Sequence, residues 1–181
     1  MKQRTAELMR ALCKLLCVVT SFVALIAVGC NNAADSKLSE IRRRFVLTEE
    51  PATPASIEAT IAGIAEKPEV TVLGRVNAGA SEPFDPGQAT IVLSEAPDPA
   101  HNHDPGDCPF CKRRLENAKS CIVRFSDEQG EVIKQDAQKL LGVAKNQDVV
   151  VQGHATWLAD LDILQVDATG IYLRPIEKLS N

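Results

Sequence analysis

In several short segments from residue 69 onward, apolar side chains recur at every second position, the period of strands with one face buried. Glu69 to Val76 (EVTVLGRV) sets Val70, Val72 and Gly74 on one side, and Ala89 to Glu95 (ATIVLSE) is a second strand. Ser120 to Phe125 (SCIVRF) gathers Cys121, Val123 and Phe125 on one face. A turn at Asp127 to Gly130 leads to a brief strand at Val132-Ile133, and Asp148 to Ala155, Asp162 to Ala168 and Ile171 to Pro175 complete the set. The period changes to that of a helix in two places. Ile57, Ile61 and Ile64 share a helical face, with Thr53 placed to cap, Pro54 suited to the first helical position and Lys67-Pro68 ending the run. Ala137 to Leu141 makes a turn or two of helix, stopped at Gly142. Short antiparallel strands with one short helix between the third and fourth predict a mainly β, small closed barrel preceded by a short N-terminal helix. Between the second and third strands, Ala96 to Lys119 follows neither period and predicts a long loop insertion. Loops of that length in a compact domain are usually functional or disordered.

The N-terminus has another rhythm. Lys2, Arg4, Arg10 and Lys14 precede a largely apolar run from Leu15 to Val28. That run falls short of the roughly 20 apolar residues of a membrane span and suits the core of a signal peptide. It ends in Ala27-Val28-Gly29-Cys30, which resembles the lipobox of bacterial lipoproteins, with Ala27 where that family most often has leucine. The resemblance implies cleavage before Cys30, a diacylglycerol on its thiol and acylation of the new amine. Two or more chains, such as palmitate, make an effectively permanent membrane anchor. Asn31 is not the aspartate associated with inner-membrane retention. The implied address is the cell envelope, facing the periplasm or exterior; a plain secretory signal or an uncleaved anchor is the alternative. The layout that follows is a signal peptide at 1–29, a lipid-anchor tether and linker at 30–52, and the β domain at 53–181 with the insertion at 96–119. Asn31 to Ser39 is small and polar, as a tether requires. The three arginines of IRRRFVL (Ile41 to Leu47) suit a solvated face or anionic headgroups.

Removal of residues 1–29 takes four basic residues and Glu7 with it, so the formal charge falls from −4 to −7. An acidic exported domain lacks the Lys/Arg excess that phosphate binding needs, and no nucleic-acid partner is expected. Cys13 and Cys17 leave with the signal and Cys30 is taken by lipid. Cys108, Cys111 and Cys121 remain, an odd number in a disulfide-permissive compartment, so one thiol needs a separate explanation.

The strand motifs carry a second resemblance. VTVLGRV near the start, with KNQDVVVQGHA and ILQVDATGIYL near the end, looks like the five-stranded OB-fold of the tRNA-anticodon-binding-like type, over roughly Glu69 to Pro175. That architecture hosts binders of oligonucleotides, oligosaccharides and proteins, so it does not assign a function. The insertion between the second and third strands departs from that pattern.

The chemistry is concentrated in that insertion. HNHDPGDCPFC places His101, His103, Cys108 and Cys111 within eleven residues, punctuated by Pro105 and Gly106. Cys108 and Cys111 have the two-residue spacing of a zinc knuckle, and His101 and His103 share one side of an extended segment. The four together make a Cys2His2 set for Zn(II), with Cu(I) possible because thiolates are soft donors. A closed four-ligand site leaves no open position for substrate, which disfavours hydrolytic catalysis and points away from an enzyme. A redox reading competes: CPFC resembles the active-site motif of glutaredoxin-like proteins, with Cys108 as nucleophile and Cys111 as resolving thiol, although no βαβ pattern surrounds it. In the third reading the insertion is an inert excursion pinned by a disulfide, and the barrel binds an unknown protein or small ligand. Lys112 stands where c-type haem attachment needs histidine. Cys121 reads as a buried inert thiol or an extra ligand, and His154 as a strand or barrel-mouth histidine. Trp157 and Tyr172 read as rim packing or as a stacking platform.

Overall fold

The computed structural model describes residues 30–96 and 119–176, with side chains from residue 36 onward. The chain divides into two compact units, one ending at Glu40 and the other beginning at Ile41. Helix α1 spans Cys30–Phe45. The sequence CNNAADSKLSEIRRRF contains no glycine or proline, and half of its residues are Ala, Leu, Lys, Glu or Arg, which lose little freedom in a helix. Arg42, Arg43 and Arg44 occupy its last turn, where positive charge complements the helix dipole. The stretch expected as a polar tether is thus helical. Polarity alone does not distinguish a tether from a helix that lacks breakers.

In the second unit five strands close into a ring: β1 (Glu69–Val76), β2 (Thr90–Ser94), β3 (Ser120–Arg124), β4 (Asp148–Leu158) and β5 (Ile163–Leu173). The order around the ring is β1-β2-β3-β5-β4. Neighbours are antiparallel except β3 and β5, which run parallel. Helix α2 (Ile57–Gly63) precedes the sheet and α3 (Ala137–Leu141) lies between β3 and β4. This mainly β arrangement is consistent with an OB-like fold. It is not a regular barrel: β1 meets β2 only at Arg75↔Ser94 and Val76↔Leu93, whereas it pairs with β4 from Glu69 to Arg75. Ala55 covers part of the gap, accepting from Leu73 N–H (2.8 Å) and donating to the Thr71 carbonyl (2.9 Å).

Alternation delivers the core. Val72 and Val76 of β1, Ile91 and Leu93 of β2, Cys121 and Val123 of β3, Val149, Val151 and Ala155 of β4, and Leu164 and Val166 of β5 are all buried. Phe45 enters this core at the end of α1 and meets Phe125 edge-on, with ring centroids 5.2 Å apart. The arginines before Phe45 are exposed, and the Arg44 guanidinium lies 5.0 Å from its ring centroid.

Three local expectations change. The first concerns the start of α2. Thr53 and Pro54 do not open the helix, because the next residue is drawn into an extended pairing with β1 and Thr53 takes a positive φ of 51°. Ser56 caps instead, its Oγ accepting from Ala59 N–H at 3.1 Å. The second concerns the C-terminal strands. Asp162 to Ala168 and Ile171 to Pro175 are halves of one strand, β5. The intervening Thr169-Gly170 is a bulge rather than a turn, because the register with β4 shifts between Gln152 and Gly153. One extra residue restores the inward side of the pleat, with Ala168 opposite Gly153 and Ile171 opposite Val151. The third concerns Val132, which makes only an isolated bridge, to Ser126.

Candidate functional site

β2 leaves the ring at Ser94 and β3 re-enters at Ser120, and Leu93 pairs with Cys121. The two roots of the insertion therefore lie side by side at one end of the sheet. Each root is fastened to a different element. At the outgoing root, Glu95 accepts the N–H groups of Glu58 (2.6 Å, Oε1) and Ile57 (3.3 Å, Oε2). These are orphan donors of the first turn of α2, which a helix cannot satisfy internally. At the returning root, the Lys119 ammonium pairs with Asp162 on the β4–β5 turn and lies 5.8 Å from the Trp157 ring centroid. Trp157 is half-buried opposite Leu164, a rim position consistent with packing.

His101, His103, Cys108 and Cys111 lie outside the described residues. Cys30 is the first residue of α1, and its side chain is likewise not described. Among the described residues no three His, Cys, Asp or Glu side chains gather to hold a metal ion. No described helix is long and apolar enough to cross a membrane.

Cys121 is a free thiol with no exposed surface. Burial first, and the nearby Glu95 carboxylate second, push its thiol up to about 12. A thiol so far above neutral pH carries almost no thiolate and is chemically inert. Because the folded state resists ionisation that the unfolded chain accepts, Cys121 contributes full stability below the ordinary thiol range. That contribution is lost as pH rises from there toward about 12. Native protein at pH 8 should leave Cys121 unlabelled by iodoacetamide, while denatured protein labels fully; peptide mapping reads the difference. Rapid native labelling would mean that the β2–β3 end opens in solution.

His154 is exposed on β4, with Nδ1 3.0 Å from Glu69 Oε1 on β1. The neighbouring Asp167 on β5 accepts from Arg124 Nη2 at 2.7 Å. These belong to a cross-strand row of outward charges, so His154 is the strand histidine that the pattern predicts. Such half-exposed pairs stabilise a sheet only modestly.

A groove of about 530 Å³ lies between α2 and the outer face of β1, β4 and β5. Thr60 and Gly63 of α2 face Thr71, Gln152 and Thr169 of the sheet across it, with Lys67 and Glu69 also among its lining residues. Glu95 and Lys119, which fasten the insertion, carry no sequence signal: each is one charged residue in a chain where charge is common. The hydroxyl of Ser94 is buried and has no hydrogen-bond partner among the described residues.

No known protein family matches the chain, and no curated protein matches it. Among solved structures it is similar to a putative aspartyl-tRNA synthetase from Leishmania major Friedlin, with 6% identity and a TM-score of 0.43. The match covers 82% of this chain and 27% of that one, so the chain spans about a quarter of its neighbour's length.

Proposed function

We propose that the protein is an exported lipoprotein, anchored through Cys30, whose OB-like barrel carries a non-enzymatic metal-binding insertion. His101, His103, Cys108 and Cys111 are its ligands, for Zn(II) or Cu(I). The observation that carries this reading is the burial of Cys121. With that thiol sealed in the core, the odd cysteine is accounted for. Cys108 and Cys111 are left as a pair of potential ligands beside two histidines. The frame also suits the role, since a binding segment is best mounted on rigid elements with its ends fixed. Here Leu93↔Cys121, the Glu95 cap and the Lys119–Asp162 pair fix both ends. The signal features and the Cys30 lipobox support the envelope address.

The test is elemental analysis of the purified full chain. About one zinc or copper per chain is expected, falling to background in a Cys108→Ala, Cys111→Ala double variant that still folds. Metal-free protein that reduces insulin, with the activity lost in Cys108→Ala, would replace this reading with the dithiol one. Metal-free protein with an unreactive disulfide would leave a partner- or ligand-binding barrel.

A further inference from the structure

The edge of β1 that faces away from β4 is only partly paired. The N–H and C=O of one strand residue point to one side, and those of the next residue to the other. Val70 and Val72 point to β4, while on the opposite side Ala55 takes the Thr71 carbonyl (2.9 Å) and the Leu73 amide (2.8 Å). Farther along that side β2 takes over at Arg75. The N–H of Thr71 and both backbone groups of Glu69 share this edge, and no described residue bonds to them there. The pairing stops at Ala55 because the chain turns away at Thr53, with its positive φ of 51°. A row of unpaired strand groups is a template for another extended chain.

The groove follows that edge. Glu69, Val70 and Thr71 line it consecutively, with α2 as the facing wall. The wall is low: Ala59 and Gly63 lie four residues apart on one helical face, and a Cβ at Gly63 would meet nothing within 4 Å. The volume of about 530 Å³ falls within the range of binding clefts, roughly 300–1,000 Å³. None of the lining residues is aromatic, so the stacking platform that a nucleic-acid base would use is missing. Lys67 stands at the turn joining α2 to β1, and its ammonium has no ion pair among the described residues. Glu69, the other charge in the lining, is paired with His154.

We propose that this groove binds an extended peptide, which adds as a strand to β1 at Glu69–Thr71 and sets a carboxylate against Lys67. A peptide carbonyl accepts the Thr71 N–H, and a peptide amide donates to the Glu69 carbonyl. Main-chain bonds carry the affinity and tolerate many sequences, while the low wall of Ala59 and Gly63 admits small side chains. No residue of the insertion takes part, so the proposal is independent of the metal-binding reading.

The probe is acetyl-Ala-Ser-Ala-Ser with a free C-terminal carboxylate, added to the full chain. At saturation, amide hydrogen exchange at Thr71 should slow about tenfold, the upper scale of a net hydrogen bond. The Val123 amide, in a ladder with β2 and β5, serves as the internal reference. The same peptide N-methylated at its internal amides cannot donate to Glu69 and should bind about tenfold more weakly. The C-terminal amide form should bind about threefold more weakly, the scale of an exposed ion pair, and Lys67→Gln should erase that difference. Gly63→Leu fills the groove from the helix side and should abolish binding, with a urea midpoint no lower than wild type. Unchanged Thr71 exchange at millimolar peptide would overturn the proposal, as would equal binding of the N-methylated form or full binding by folded Gly63→Leu. Thr71 exchange as slow as that of Val123 in the free protein would overturn it too, because the edge would already be covered. Equal binding of the carboxylate and amide forms to the wild type would overturn the part given to Lys67.

Discussion

Gly153→Val should destabilise the ring by about 3 kcal/mol, the upper range for overpacking a tightly packed site. A Cβ at Gly153 would lie 2.3 Å from the Asp167 carbonyl oxygen and 3.0 Å from Ala168 Cα. Both are backbone atoms of the neighbouring strand, so no rotamer change relieves the clash. The crowding arises at the β4–β5 bulge, where the register shifts and Thr169 is the extra residue. Urea unfolding should show the midpoint falling with little change in slope. Gly63→Ala is the matched control, since a Cβ there meets nothing within 4 Å. It should be neutral or stabilising by about 0.5 kcal/mol, as alanine is the better helix former. Wild-type stability in Gly153→Val would mean that the bulge is absent in solution.

Phe125→Ala should cost about 4 kcal/mol, within the range for deleting a fully buried aromatic side chain. Phe125 is fully buried and stacks edge-on with Phe45, a contact worth about 1 kcal/mol beyond area burial. Phe45 closes α1 directly after Arg42, Arg43 and Arg44. Loosening its partner should therefore speed trypsin cleavage after these arginines as well as lower the denaturant midpoint. A double-mutant cycle with Phe45→Ala should return a coupling of about 1 kcal/mol. Additive effects would show that the two rings contribute independently.

The features legible in the sequence are the local ones. β1 and α3 match their expected bounds because their signals are complete within the segment. EVTVLGRV alternates except at Leu73, and Gly142 takes the left-handed φ of 77° that ends a helix. Cys121, Val123 and Phe125 share a buried face as the alternation implies. Thr53-Pro54 is a sound local start signal for α2, yet the helix begins later. A non-local hydrogen bond from Ala55 to β1 overrode it. Likewise Thr169-Gly170 has turn composition, and only its pairing with β4 makes it a bulge. The site divides in the same way. The imidazole and thiol groups of His101, His103, Cys108 and Cys111 and their spacing are visible in the sequence, whereas the grip of Glu95 on α2 spans 37 residues to Glu58 and has no sequence periodicity.

The sequence by itself determined the rhythm of the strands, the side of each that faces the core, and the concentration of imidazole and thiol groups in one connection. Those properties depend on residue type and near-neighbour spacing. Tertiary structure alone decided that the sheet closes in the order β1-β2-β3-β5-β4 and that Cys121 has no access to solvent. It also decided that the roots of the insertion are tied to α2 and to the β4–β5 turn. The reason is that hydrogen bonds and burial between residues distant in sequence depend on which surfaces meet, and that is settled when the whole chain packs.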